Sequence, residues 1–357
     1  MIYIAGISIA IFFEFLLLAK KNKTHADRIL LWWMFVICLN LFLFYMLDTE
    51  QSYKYTFLLG LMIPIPFLHG VFTYFYVASA TNQFPKRWYV QLAHFIPTFA
   101  TCIYLIPFML RPANEKVYVY QNEGIGYEPF LMITYIGVIA FGLGYVIWSL
   151  ILLRKHQKNI RDQYANVEHV NLNWLKTIII GLGVIWIIAI IDSGDQFIYI
   201  GVSFLIFTMA FFGIKQVALI QPVEEKPKQK KYAKSGMKKD QSDELYAKLK
   251  EYVDNDEEWF MQTDLTIQDL ASRLNVHPNY LSQIINEREE KNFFDFVNSY
   301  RLKAFAELIQ HPESQRLTLL ALAYDCGFNS KSSFNRYIKK TTGLTPTEYH
   351  KSLIDKP

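Results

Sequence analysis

The sequence predicts an all-α protein in two parts: seven membrane-spanning helices, then a domain with two helix-turn-helix units. Three observations predict it. Seven long apolar runs fill the first part, one helix-turn-helix pattern occurs twice in the second, and a lysine-rich stretch without apolar periodicity lies between them. The boundaries read as 1–220 for the transmembrane domain, 221–241 for a basic tether and 242–357 for the paired helix-turn-helix domain.

The apolar runs lie at about 1–19, 29–47, 57–80, 89–110, 130–153, 174–191 and 197–220. Each is long enough as a helix to cross a hydrocarbon layer of roughly 30 Å. The first is not a cleavable signal, because its cations Lys20, Lys21, Lys23 and Arg28 follow the apolar run instead of preceding it. The odd-numbered connections hold those four with Lys86, Arg87, Arg154, Lys155, Lys158 and Arg161, ten cations in all. The even-numbered connections hold three, Lys54, Arg111 and Lys116. Positive charge favours the cytoplasmic side, so the N-terminus is expected outside and the C-terminus, after seven crossings, in the cytoplasm. In a bacterial inner membrane, that is the side where DNA lies.

Few polar residues interrupt the spans: Glu14, His69, His94 and Asp192. An ionisable group at membrane depth is a functional candidate by default, so Glu14, His69 and Asp192 are the signal-sensing candidates. The plainer reading is interhelical packing, which suits His94 near an interface. Pro64, Pro66, Pro97 and Pro107 are expected to kink the third and fourth spans. Asp192-Ser193-Gly194 matches the tripeptide of aspartic proteases but stands once, at a helix end, without a second copy. No nucleophile, acid-base set or metal spacing appears, and Cys38, Cys102 and Cys326 are scattered. The chain therefore reads as no enzyme, with no cofactor and no metal.

The tether holds seven lysines against three acids and two prolines. It reads as exposed chain, with a charge suited to anionic lipid. A helix resumes near Ser242. Beyond it, Thr266 opens a run with Ile267, Leu270, Ala271 and Leu274 at helical spacing; 52 residues later Thr318 opens Leu319, Leu322, Ala323 and Cys326. Threonine caps helices, and Asn275 and Gly327, which follow these runs, tolerate the positive φ of a sharp turn. Each unit's second helix then leaves a polar stripe. In the first it is Asn279, Ser282, Gln283 and Asn286; in the second it is Ser332, Asn335, Arg336 and Lys339, displaced by 53.

A polar stripe is usually a solvated face. These residue types also pair with base edges: Asn and Gln with adenine, Arg with guanine. The first stripe lacks a cation, so Lys331, Arg336, Lys339 and Lys340 are expected to supply phosphate attraction, with help from Arg288 or Lys291. Residues 242–357 hold 14 cations and 18 acids, with acids clustered at 243–269 and 287–290, mostly off the stripes. Between the units, Phe293 to Ile309 has helical periodicity and reads as a strut of roughly 25 Å. Thr345-Pro346-Thr347-Glu348 is a capping box with proline at N1, opening a last helix.

The stretches LTIQDLASRLNVHPNYLSQIINE, FFDFVNSYRLKAFAELI and LTLLALAYDCGFNSKSSFNRYIKKTTGLTPTEYH resemble the DNA-binding domain of AraC/XylS-family regulators over about 110 residues. The most specific piece runs from Gly327-Phe328 through Gly343-Leu344-Thr345-Pro346 to Tyr349. FLHGVFTYFYVASATNQF, LAHFIPTF and KYAKSGM resemble the seven-helix, membrane-embedded members. The resemblance implies two recognition helices joined by a linker helix, transcriptional regulation, often activation, and base reading at Asn279, Ser282, Gln283, Ser332, Asn335 and Arg336. Glu290 stands where the family has a glycine ending the first recognition helix, which predicts a looser or longer corner. Leu320 and His350 replace a polar residue and an arginine.

The expected function is a membrane-anchored, sequence-specific DNA-binding regulator that couples a signal to promoter control. The expected partners are double-stranded DNA and membrane lipid, with RNA polymerase, an unidentified signal ligand and a second copy of the chain as further partners. The alternative is a membrane receptor or transporter whose C-terminal domain binds protein.

Overall fold

A computed structural model describes residues 2–168, 170–191, 195–219 and 239–354. The chain divides into two compact units, residues 1–155 with 172–223, and residues 156–171 with 224–357. Among the described residues both are helical, and the one β feature is an isolated bridge between Tyr164 and Thr266.

The first unit begins with α1 (Ile2–Ala19), α2 (His25–Asp48) and α3 (Gln51–Lys54). It continues through α4 (Ile65–Ala80), α5 (Trp88–Ala93), α6 (Ile96–Met109) and α7 (Ala113–Gln121). The long α8 (Glu128–Arg161), α9 (Asn173–Ile191) and α10 (Asp195–Leu219) follow, the last turns of α8 belonging to the second unit. Local chemistry explains several boundaries. Thr24 accepts from the Asp27 amide at 3.2 Å while the Asp27 carboxylate accepts from the Thr24 amide at 2.7 Å, a reciprocal cap that starts α2. Pro66 in the first turn starts α4, so residues 57–64 of the third apolar run form a short 3₁₀ turn and bends instead of helix. The fourth run breaks at His94 and Phe95, just ahead of Pro97.

Every one of the seven apolar runs therefore carries a helix. By length and composition, three of the described helices suffice to cross a membrane: α2, α8 and α9. The pair α6 and α7 becomes a fourth if its 117° bend falls within one span. Shorter apolar helices occupy Tyr3–Ala19, Ile65–Ala80 and Phe197–Phe212. The unit's interior is built from Phe13, Trp33, Met34, Val71, Tyr74, Leu175, Ile179 and Ile206, all nearly or fully enclosed. Its outside is also apolar: Phe15, Trp32, Ile103, Ile133 and Phe204 are each 65–70% exposed.

The second unit holds α11 (Lys239–Asn255), α12 (Ile267–Arg273), α13 (Pro278–Glu289), α14 (Phe293–Gln310), α15 (Leu319–Asp325), α16 (Lys331–Thr342) and α17 (Pro346–Ile354). It has two apolar centres. Leu249, Leu265, Leu270, Ala271, Leu281, Ile284 and Ile285 form the first, and Leu322, Ala323, Cys326, Phe328, Phe334 and Ile338 form the second. The strut α14 serves both, sending Phe293, Phe296 and Val297 into the first and Phe294, Leu302, Phe305 and Ile309 into the second. Burying side chains of this size contributes about 1.5–3 kcal/mol each. The strut therefore joins the two units as a shared wall.

Candidate nucleic-acid interface

Each helix-turn-helix unit is started and turned by named side chains. Thr266 accepts from the Asp269 amide at 3.2 Å and the Asp269 carboxylate accepts from the Thr266 amide at 2.9 Å. Thr318 accepts from the Ala321 amide at 3.1 Å without a reciprocal acid. Asn275 turns the first corner at φ 53 and Gly327 the second at φ 89. His277 and Ser330 then cap α13 and α16, accepting from the amides of Asn279 and Ser333 at 3.2 Å and 3.1 Å. The second turn is one residue longer, which explains why the displacement grows from 52 to 53.

On α13, Leu281, Ile284 and Ile285 are fully enclosed, so the opposite face carries the predicted stripe. Asn279 and Gln283 are partly buried and Asn286 is exposed. Ser282 is 8% exposed, less open than its place on the stripe led us to expect. Gln283 donates to the Glu287 carboxylate at 2.7 Å, and Asn286 donates to the Ser282 carbonyl at 2.7 Å. On α16, Phe334, Tyr337 and Ile338 face inward. Lys331, Ser332, Arg336, Lys339 and Lys340 are exposed and Asn335 is partly buried. Lys340 is committed to the Asp295 carboxylate at 2.8 Å, and Arg336 lies 3.9 Å from the Glu168 carboxylate.

Two of the acids near the first recognition helix are paired away from the stripes. Arg288 pairs with Asp243, and Lys250 pairs with Glu289 at 2.8 Å. Burial pushes the Glu289 carboxyl up, but hydrogen bonds from Lys250 and Tyr246 outweigh it and hold the group below the usual carboxylate range. The corner after α13 keeps a glycine-like conformation without a glycine. Glu290 is left-handed at φ 52, just as Gly343 after α16 is at φ 76. The corner is thus neither looser nor longer; the glutamate bears the strain.

Two features escaped the sequence reading. Arg301 is buried in α14 and donates to the carbonyls of Phe260 at 2.9 Å and Gln262 at 2.8 Å, and to Asn298 at 3.3 Å. Burial pushes its guanidinium down to about 10, so it stays charged at neutral pH. Its place four residues after Val297 and four before Phe305, on an apolar stripe, was the available signal. Residues 156–171 also belong to this unit, although no periodicity marks them.

Of the sensing candidates, His69 Nε2 lies 3.0 Å from Asn40 Nδ2, and Glu14 is partly buried on α1. No hydrogen bond joins Glu14 to His69 among the described residues. Asp192 lies outside the described residues. His94 Nδ1 sits 2.7 Å from the Tyr145 hydroxyl, within a group of aromatic rings.

Comparison with known proteins agrees with the paired helix-turn-helix architecture of the second unit. A family model described as a helix-turn-helix domain matches residues 270–352. The chain is 28% identical over 120 residues to the uncharacterized HTH-type transcriptional regulator YijO of Escherichia coli, covering 32% of this chain and 40% of that protein. It is 24% identical over 131 residues to the regulatory protein PocR of Salmonella typhimurium, covering 37% and 41%. It is 22% identical over 91 residues to the Msm operon regulatory protein of Streptococcus mutans, covering 26% and 32%. The matches thus span about two fifths or less of these relatives' length. No solved structure matches the chain. The C-terminal part of this chain is a helix-turn-helix domain of the AraC type, the kind carried by transcriptional regulators.

Proposed function

We propose that this protein is a membrane-anchored transcriptional regulator whose second unit reads promoter DNA from the cytoplasmic face of the inner membrane. One observation carries the DNA-binding reading. Two recognition helices of equal length, α13 and α16, present base-pairing residue types at matching positions, and a shared strut joins their cores. The strut has 18 residues, hence about 27 Å of helix, close to the roughly 34 Å between successive major grooves. Asn279, Ser282, Gln283 and Asn286 are assigned to one groove, and Ser332, Asn335 and Arg336 to the next. Lys331, Lys339 and Lys340 are assigned to phosphates. A duplex selected by the full-length protein from a random pool tests this: half-sites one helical turn apart support it.

Membrane anchoring is supported by the outward apolar side chains of the first unit. Many large apolar side chains face outward, Trp32 at 65% and Phe204 at 70% among them, as a lipid-facing surface requires. Seven crossings agree with the ten-to-three division of cations between the two sets of connections. A periplasm-active reporter fused after Asp48 or Gln121 is expected to work, and one fused at the C-terminus is expected to be silent. An active C-terminal fusion would separate the second unit from DNA and end this reading.

Sensing is assigned to the first unit, with Glu14, His69 and Asp192 as its polar groups. His69, hydrogen-bonded to Asn40 at the proline-rich start of α4, is the best placed. His69→Leu is expected to leave insertion and DNA binding intact while altering the response to inducing conditions. An unchanged response under all conditions returns His69 to packing.

A further inference from the structure

We propose that residues 156–171 act as a clasp on the DNA-binding unit, through which the helices α8 and α9 restrain its grip on DNA. This rests on the DNA-binding reading above. The segment is continuous in sequence with the apolar first unit at both ends, yet it folds with the second. His156 Nε2 lies 2.8 Å from the Val170 carbonyl oxygen, and Gln157 donates to the Asn171 carbonyl at 3.0 Å, so the two ends of the segment close on each other.

The closed loop engages the entry of the first helix-turn-helix unit through its backbone. Ala165 N–H donates to the Leu265 carbonyl at 3.0 Å, and Ile267 N–H donates to the Gln163 carbonyl at 2.9 Å, forming the bridge around Tyr164 and Thr266. The strut adds a third bond, from Asn298 Nδ2 to the Ala165 carbonyl at 3.0 Å, and Asn298 is itself buried. Side chains divide between the two cores. Ala165 joins the first, while Ile160 and Val167 join the second, all three 6% exposed or less. Arg161 lies over the Phe294 ring of the strut at 5.8 Å. One short segment therefore holds both units at once, which a passing loop has no reason to do.

Its far end reaches the reading face. Glu168 stands 3.9 Å from Arg336, the one arginine on either stripe, with its own side chain 21% exposed. A carboxylate there competes with a guanine edge or a phosphate for the same guanidinium. In the docked state, Arg336 is shared with Glu168. A displacement of the α8–α9 hairpin would carry Glu168 away and free Arg336, which gives a membrane signal a physical path to the reading face that does not run through residues 221–241. Coupling of this kind requires only that the docked and undocked states bind DNA with different affinity.

The test uses the full-length protein in lipid nanodiscs and a duplex that the wild type selects from a random-sequence pool. Glu168→Gln keeps shape and hydrogen bonding but removes the charge, and is expected to tighten binding about two- to fivefold, the range of a partly exposed ion pair. The gain should vanish in an Arg336→Ala background. Hydrogen exchange at the Ala165 and Ile267 amides reads docking directly, and both are expected to be protected in wild type and in Glu168→Gln. Unchanged or weaker binding by Glu168→Gln overturns the restraint while leaving the DNA-binding reading standing. Exchange at both amides as fast as in open chain overturns the docking. Failure of the wild type to select any duplex removes the DNA-binding reading itself, and the restraint with it.

Discussion

The two helix-turn-helix units follow one plan and solve it with different residues. The first is stiffened by side chains: a reciprocal Thr266–Asp269 cap, an Asn275 corner, and a glutamate in the left-handed position after α13. The second relies on backbone freedom, with Gly327 at its corner and Gly343 at its end. Their reading faces differ in parallel. The stripe on α13 is uncharged and tied into local hydrogen bonds, whereas the stripe on α16 carries two exposed cations, Arg336 beside Glu168 and Lys339. We propose that the duplicated fold divides its tasks, the second unit supplying the electrostatic attraction to DNA and the first the discrimination that salt does not screen.

The largest effect expected from breaking this contrast is at the corners. A Cβ on Gly327 would stand 2.6 Å from the Met261 carbonyl oxygen and 3.0 Å from Arg301 Nε, at a φ that L residues avoid. Gly327→Ala is therefore expected to cost about 3 kcal/mol or more, because strain and collision add. Asn275→Ala, at the equivalent corner, should cost only about 1 kcal/mol, since an L residue already tolerates that conformation there. Thermal unfolding of the detergent-solubilised chain, followed by proteolysis of the second unit, would rank them. Equal losses would mean that the corners are equivalent after all.

Next come the reading faces. Arg336→Ala is expected to cost about 1–3 kcal/mol on a specific site and to relax preference at one base position. Gln283→Ala should weaken discrimination about one helical turn away and leave the salt dependence nearly unchanged, because no charge is lost. Lys340→Ala should weaken all sequences alike and only slightly, since Asp295 already neutralises that ammonium. Salt titrations of the full-length protein on selected and scrambled duplexes separate the three. If Arg336→Ala lowers both affinities equally, the second unit grips backbone only, and specificity moves to Asn279, Ser282 and Gln283.

The smallest effect sharpens the comparison in the opposite direction. Glu290→Gly gives the first unit the ending of the second and is expected to raise stability by about 1 kcal/mol, by relieving a left-handed L residue. Denaturant midpoints of the two proteins measure it, and a loss of stability would show that the Glu290 side chain contributes more than its backbone costs.

What could be read from the residues, and what could not, follows from the range of the forces involved. Helix starts at Thr266, Thr318 and Thr345 were legible because a cap and its partner lie within three residues. The inward faces of α13 and α16 were legible because 3.6-residue periodicity is local too. The clasp was not, because Ala165 meets Asn298 across 133 residues and its backbone bonds use groups that every residue has. Ile160 and Val167 are too far apart and too few to make a pattern. In the first unit, composition marked where apolar helices lie, and prolines marked which runs are interrupted: the third breaks over 57–64 beside Pro64 and Pro66, and the fourth at His94 and Phe95 ahead of Pro97. The near-burial of Ser282 was not legible, since helical spacing assigns a face without saying what covers it.

The central claim is that one chain holds the membrane and reads DNA at the same time, and genome-wide occupancy of the membrane-retained protein tests it most directly. Cells are cross-linked, membranes are isolated, and the DNA held by the full-length chain is sequenced. The account predicts a small set of discrete sites with paired half-sites one helical turn apart, sharply reduced for Arg336→Ala. Occupancy spread evenly along the genome, or no DNA in the membrane fraction while the protein is intact, would contradict it.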